Sequence, residues 1–331
     1  MSLEIENSWV SKNHLIKEKN MGILPNGTKI DRFVIENLLS NSGGMSEVYL
    51  ARVENSKQKV AIKVANTDPA NPTHEDVLLQ WEAELLSQWD WRHSGLVRLF
   101  PVPLNGRNPE YAVRANSLSN KPWYMVMEYL RGNSLGQKLS EIHKYPLEWK
   151  LELFYHILLP LAFIHQKGFA HRDIKPDNIV FRNAISPNKI PEPVFVDFAL
   201  ATNGEEQRSI IDNSYTLEYA SPERILRSMP NLSGENNGPE DVQASDVWSL
   251  GIVLYEILTG KLLFKGNRDK IRTTIIREQM EPKLPISDEQ GHVLAGFIRA
   301  MISKDYEKRP TIKQIIYALE EKFIPPRIDI L

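Results

Sequence analysis

The sequence predicts an α+β fold in which short strands dominate before residue 130 and helices dominate after it. Three observations carry that expectation. Apolar runs rich in β-branched and aromatic residues over 30–39, 47–53, 60–64, 96–100 and 123–130 are short and are separated by Gly, Asn, Ser and Pro, as strands are. The long apolar repeats at three- and four-residue spacing, over 149–165 and 246–258, come later. The 331 residues, 42% hydrophobic and 25% charged, suffice for one large domain or for two lobes sharing a cleft.

Residues 1–28 read as a polar extension, with Trp9, Val10, Leu15 and Ile16 as the apolar positions of a short packed helix. The strand over 30–39 turns through Ser40-Asn41-Ser42-Gly43-Gly44-Met45-Ser46 into the strand over 47–53, giving a hairpin with two glycines. Val60-Ala61-Ile62-Lys63-Val64 alternates as a strand and sets Ala61 and Lys63 on one face. A lysine there is costly to bury without an anionic partner. The helix over 75–89 offers Glu82 and Glu84 as partners. Glu82 is in step with Leu78, Leu85, Leu86 and Trp89, on the buried face, whereas Glu84 shares its face with Gln80, Ser87 and Gln88.

After the strand over 96–100, residues 101–122 are rich in Pro, Asn, Gly and Ser and read as a loop; the strand over 123–130 then runs into Arg131-Gly132-Asn133. The helix over 149–165 carries Leu151, Phe154, Ile157, Leu158, Leu161 and Ile164 and leads to His171-Arg172-Asp173-Ile174-Lys175-Pro176-Asp177-Asn178. Here a carboxylate at Asp173, a cation at Lys175 and an amide oxygen at Asn178 are concentrated, and Asp197 follows Val194-Phe195-Val196. Hard oxygen donors of this kind suit Mg²⁺, which shares its coordination with substrate phosphates, so the pattern points to phosphoryl transfer. The plainer alternative is a turn whose Asp and Asn only cap backbone groups. Residues 182–193, with three prolines, form an outward loop, and 227–241 a second, before the helix that opens at Asp246 and ends at Gly260.

The run from His171 to Asn178, followed by Asp197-Phe198, resembles the catalytic loop and magnesium motif of the protein kinase family. The family's segments appear in order over residues 30 to 325, and the run from Gly43 to Val48 resembles bacterial Ser/Thr kinases in particular. The resemblance implies a bilobal domain over 29–325. A small antiparallel β-sheet lobe with one helix takes 29–128, a mainly helical lobe takes 131–325, 326–331 form a tail, and ATP lies between the lobes. It implies that Asp173 orients the acceptor hydroxyl and takes its proton, that Lys175 offsets charge on the γ-phosphoryl group, and that Asn178 and Asp197 hold Mg²⁺. Gly43, Gly44, Val48, Ala61, Lys63, Met127, Glu128, Leu130 and Val180 would bind the nucleotide, with Met127 behind the base and Glu128 and Leu130 offering it backbone groups. Lys63 would pair with a helix glutamate: the family's spacing back from His93 selects Glu84, while the apolar periodicity selects Glu82, which we expect.

The same resemblance makes Asp246 a brace for the catalytic loop, Thr216 a contact of Asp173 and Lys175, and Glu223 and Arg309 a buried pair. It makes Arg172 the anchor for a phosphorylated loop, with Thr202, Ser209, Ser214 and Tyr215 as the available hydroxyls. The sequence departs from the family in three places. The three hairpin glycine positions hold Asn41, Gly43 and Ser46; Ser221 begins Ser-Pro-Glu where Ala-Pro-Glu is usual; and Ala199 stands where the family has Gly. A Cβ at 199 disfavours positive φ and would restrict flipping of Asp197.

Lys plus Arg total 40 against 42 Asp plus Glu, a net charge of -2 that gives no sign of a nucleic-acid binder. Cysteine is absent, so disulfides, thiolate catalysis and Cys-built zinc sites are ruled out. No signal peptide is visible, and no run reaches the ~18 apolar residues of a membrane helix. The expectation is a soluble, cytoplasmic Ser/Thr protein kinase that uses ATP and Mg²⁺, acts on a protein substrate and autophosphorylates, with its oligomeric state left open. Two other readings are a pseudokinase, motivated by Asn41, Ser46 and Ala199, and a small-molecule kinase, which commonly lacks the Arg172 and Lys175 combination.

Overall fold

The computed structural model of the protein describes residues 24–41, 46–66, 74–89, 93–102, 110–204, 215–229, 241–286 and 288–323. Gly43 and Gly44 of the expected nucleotide hairpin, the loop hydroxyls of Ser209 and Ser214, most of the N-terminal extension and the tail lie outside these residues. No helix among the described residues is long and apolar enough to cross a membrane. The described residues before 90, with Arg98–Tyr129, form one compact unit; residues 93–97 and those from Leu130 onward form a second.

The first unit is an antiparallel sheet with one helix. Its strands are β1 (Lys29–Ile30), β2 (Phe33–Ser40), β3 (Ser46–Val53), β4 (Lys59–Ala65), β5 (Leu99–Phe100), β6 (Ala112–Arg114) and β7 (Trp123–Glu128), in the order β1-β2-β3-β4-β7-β5, with β6 also pairing β7. The helix α1 spans His74–Gln88. The single strand expected over 30–39 is broken in two, because Asp31 takes a left-handed φ of 49° and turns the chain so that Ile30 pairs with Phe33. Asp tolerates that region, and its carboxylate is fixed by the Tyr124 hydroxyl at 2.8 Å and the Ser117 N–H at 3.3 Å. On β4, Val60, Ile62 and Val64 enter a core with Ile35, Tyr49, Tyr124 and Val126. Ala61 and Lys63, on the other face, are buried too, so the strand alternates in direction but not in exposure.

Two expectations about this unit need correction. The loop over 101–122 contains β6, whose Val113 pairs with Tyr124. A three-residue strand set among turn-forming residues has too short a pattern to stand out. The strand expected over 96–100 keeps only Leu99–Phe100; Leu96 instead bridges Phe195 in the second unit, where the Val97 N–H donates to the Phe195 carbonyl at 3.1 Å.

The second unit contains α2 (Leu135–Ile142), α3 (Leu147–Gln166), the hairpin β8 (Ile179–Phe181) and β9 (Pro193–Phe195), α4 (Pro222–Arg227), α5 (Val242–Thr259), α6 (Arg268–Arg277), α7 (Glu289–Met301) and α8 (Ile312–Lys322). The helix α3 buries Leu151, Phe154, Ile157, Leu158, Leu161 and Ile164, the repeat read from the sequence. The helix α5 is apolar nearly all round and buried along its length, which makes it the core of the unit. It begins four residues before Asp246, where Asp241 caps it by accepting the N–H groups of Gln243 and Ala244 at 3.1 and 3.0 Å. It ends at Gly260, whose left-handed φ of 67° a residue with a Cβ would resist. The loop after β8 is tied to the start of α3: the indole N–H of Trp149 donates to the carbonyls of Ser186 and Lys189, at 3.1 and 2.9 Å.

Candidate active site

The run from His171 to Asn178 is hung from α5. The Asp246 carboxylate accepts the N–H of His171 on one oxygen and that of Arg172 on the other, both at 2.8 Å, and the His165 imidazole lies 2.9 Å from the first. Burial opposes a charge on Asp246, but the hydrogen bonds from His165 and from the His171 backbone N–H outweigh it and hold the carboxyl below its ordinary value. Two neighbouring N–H groups turned to one carboxylate need a reversed chain, and Arg172 supplies it with a left-handed φ of 64°. His171 is fully buried, and burial pushes its pKa down, so it stays neutral. Its partners fit one tautomer: Nε2–H toward the Val196 carbonyl at 3.2 Å, and Nδ1 accepting the Asp173 N–H at 3.3 Å.

Beyond this anchor the charged side chains converge. The Lys175 ammonium donates to Asp173 Oδ2 at 2.7 Å and to Thr216 Oγ1 at 3.1 Å. The Asn178 amide donates to the Asp173 carbonyl at 2.8 Å and to Oδ2 at 2.9 Å. Asp173 Oδ2 is thereby committed, which leaves Oδ1 for an incoming group. With its NH₂ spent on Asp173, Asn178 turns its oxygen away from that carboxylate.

The β8–β9 pairing brings Asp197 to the same place, since the Val196 N–H donates to the Asn178 carbonyl at 3.0 Å. An amide oxygen and a carboxylate are hard donors, few enough to leave positions for water and phosphate oxygens, and so fit Mg²⁺. Among the described residues no group of three or more His, Cys, Asp or Glu could hold a metal by itself. The left-handed turn falls on Asp197 (φ 63°), not on Ala199, so a Cβ at 199 meets no positive φ.

The first unit carries a second ion pair. Lys63 Nζ lies 2.5 Å from Glu82 Oε2, with the lysine side chain 7% and the glutamate 0% exposed. Glu84 is on the exposed face of α1. Strand pairing sets Val48 beside Lys63 and Ala61 beside Met127, and Glu128 ends β7 with its N–H on the Arg98 carbonyl at 2.9 Å. In the second unit, half-buried Val180 bridges Ser134 at the start of α2. Among the loop hydroxyls, Thr202 is buried and accepts the Gly204 N–H at 3.1 Å, so it is not open to modification in this arrangement.

In the same unit, Arg309 forms a two-pronged pair with Glu223, at 2.6 and 2.8 Å. The Tyr219 hydroxyl sits 3.1 Å from both oxygens of Glu256, which burial and the nearby Asp177 push up to about 7. Reading the sequence missed Glu256, His165 and Arg224, whose guanidinium donates to the Arg172 carbonyl. Each lies outside residues 171–178, and only folding brings it close.

Residues 41–321 match the family model for the protein kinase domain. The chain is 30% identical over 283 residues to the Ser/Thr protein kinase PknB of Mycobacterium leprae, covering 85% of this chain and 40% of that protein. It is 28% identical over 302 residues to a calcium/calmodulin-dependent protein kinase type 1 of Macrobrachium nipponense, covering 91% and 77%. It is 26% identical over 287 residues to the Ser/Thr protein kinase GIN4 of Saccharomyces cerevisiae, covering 83% and 22%. The chain thus spans less than half the length of two of these three relatives. With its antiparallel sheet, its helical unit and this match over most of its length, the chain belongs to the protein kinase family.

Proposed function

We propose that this chain is an ATP- and Mg²⁺-dependent Ser/Thr protein kinase, organised as a domain over 29–325 with lobes at 29–128 and 131–325. The observation that carries the reading is Lys175 bridging Asp173 and Thr216 while Asn178 grips the same Asp173 carboxylate. ATP with Mg²⁺ supplies the γ-phosphoryl group and neutralises part of its charge. The protein's share is positioning and electrostatics. Asp173 Oδ1 takes the acceptor hydroxyl and its proton. Lys175 balances the negative charge that gathers beside that hydroxyl, a task a mobile ammonium suits. Asn178 and Asp197 would hold the metal, and Lys63, held in place by Glu82, would bind the α- and β-phosphates. Val48, Ala61, Met127, Glu128, Leu130 and Val180 are the further residues we assign to nucleotide binding. A lysine two residues after the catalytic aspartate, and the Ser/Thr names of the relatives, support hydroxyls of Ser and Thr on a protein as acceptors.

The test is transfer of labelled phosphate from Mg-ATP to a generic protein substrate and to the chain itself. Asp173→Asn should lower the rate by about 10²–10⁴-fold, the range of a lost general base. Mapping the phosphosites of wild type against Asp173→Asn reports acceptor type and autophosphorylation together. Wild-type transfer no higher than that of Asp173→Asn would favour a pseudokinase, and transfer to a sugar hydroxyl with none to protein would favour a small-molecule kinase.

A further inference from the structure

Arg224 is the third residue of α4, buried, and its guanidinium donates to the carbonyl of Arg172. That carbonyl belongs to the peptide group joining Arg172 to Asp173. The N–H of the same Arg172 is held by Asp246, and its φ is left-handed, so this residue is gripped at both ends in a conformation it would not choose alone. Freed at its oxygen, the peptide could rotate and carry the Asp173 side chain with it.

Arg224 is in turn held by Tyr215. The guanidinium carbon lies 5.8 Å from the centroid of the Tyr215 ring, within cation–π range. The Tyr215 hydroxyl shares a 2.7 Å hydrogen bond with Ser228 Oγ, which also donates to the Ile225 carbonyl at 2.7 Å. Tyr215 is therefore held to α4 at Arg224 and at Ser228, the residue that caps its C-terminus. The next residue is Thr216, which receives Lys175. One dipeptide, Tyr215-Thr216, thus reaches the catalytic run from two sides: through Arg224 to the Arg172 carbonyl, and through Lys175 to the Asp173 carboxylate.

We propose that Tyr215 and Arg224 are positioning residues for phosphoryl transfer, a brace by which the residue ahead of Thr216 sets the orientation of Asp173. The proposal rests on Asp173 being the residue that takes the acceptor proton. Its consequence is that anything displacing Tyr215, including phosphorylation of its hydroxyl, lowers turnover while leaving the nucleotide-binding residues of the other unit untouched.

The test is steady-state kinetics on the full chain with Mg-ATP and a generic protein substrate. Arg224→Met and Tyr215→Ala should each lower kcat by roughly 10–100-fold, the scale of a misplaced catalytic group, with KM for ATP within about 3-fold of wild type. Tyr215→Phe keeps the ring over Arg224 and should stay within about 3-fold of wild type, and Arg224→Lys should recover part of the loss. The double variant Arg224→Met with Tyr215→Ala should lose little more than the worse single variant, because one brace is removed twice. If Arg224→Met fails to fold, Tyr215→Ala, at a half-buried position, decides. Wild-type kcat in Tyr215→Ala, additive losses, or losses that appear only in KM would overturn the brace. If those variants are fully active while Asp173→Asn is inactive, the brace falls and the kinase reading stands; if wild type itself transfers nothing, both fall.

Discussion

Lys63 and Glu82 form an ion pair almost wholly removed from water. Such a pair adds little net stability over an apolar pair of the same shape, yet removing one partner strands the other charge at a cost of about 3–5 kcal/mol. Glu82→Gln should therefore lower the urea midpoint, and by freeing Lys63 to rotate it should lower kcat/KM as well. Glu84→Gln, two residues along on the exposed face of α1, should change stability by less than about 0.5 kcal/mol and leave activity alone. Urea melts and kcat/KM on the two variants separate them; the reverse order of effects would mean that Glu84 is the working partner. The two glutamates are alike in chemistry and differ in phase against Leu78, Leu85 and Leu86. That phase is written in the sequence, whereas the family's usual spacing back from His93 points to the other residue.

Elements were legible where their periodicity was long and poorly where their ends or partners were decided elsewhere. The α3 repeat could be read directly, because burial of one helix face imposes its spacing on twenty residues. The start of α5 was displaced to Asp246, the residue with a role in the site. The Asp241-Val242 step, a capping residue before an apolar run, is the local signal that marks the true beginning. With β6 no local signal exists, since its three residues are a strand only because Trp123, Tyr124 and Met125 lie beside them. The cap of α5 bears on the site, because that helix carries Asp246 and hence the backbone of His171 and Arg172. Asp241→Ala should lose about 1 kcal/mol of stability, within the 0.5–2 kcal/mol of a lost N-cap, and Asp241→Asn, which keeps the acceptor, should lose less. Denaturant melts check the order; equal loss in both variants would show that the charge, not the hydrogen bond, was holding the helix end.

At the scale of the whole molecule, the proposed reacting groups are more legible than their supports. Asp173, Lys175 and Asn178 fall within six residues, so their chemistry shows as a motif, while Asp246 is named only through the family resemblance and Glu256 reaches the site only through folding. Glu256 shows what a sequence does not carry: its identity is printed, but its ionisation is set by burial. Burial, with Asp177 adding to it, lifts its pKa from 4.5 to about 7, against the opposing hydrogen bond from Tyr219. A carboxyl whose folded value is raised contributes stability that is complete below its unfolded value and is lost as pH rises through the folded one. The window is therefore pH 4.5 to 7, and a shift of this size corresponds to about 3 kcal/mol at 1.36 kcal/mol per unit. Glu256→Gln stays neutral and keeps an oxygen for the Tyr219 hydroxyl. Its stability relative to wild type should rise by up to about 3 kcal/mol between pH 5 and pH 8, so that the variant is ahead at pH 8. Lys304, which burial and then Arg309 depress to about 8, titrates in the opposite sense. It is common to both proteins and cancels in the difference. Urea midpoints of the two proteins at pH 5, 6, 7 and 8 measure that difference directly, and one that stayed flat across the series would mean that Glu256 is charged in the folded protein throughout.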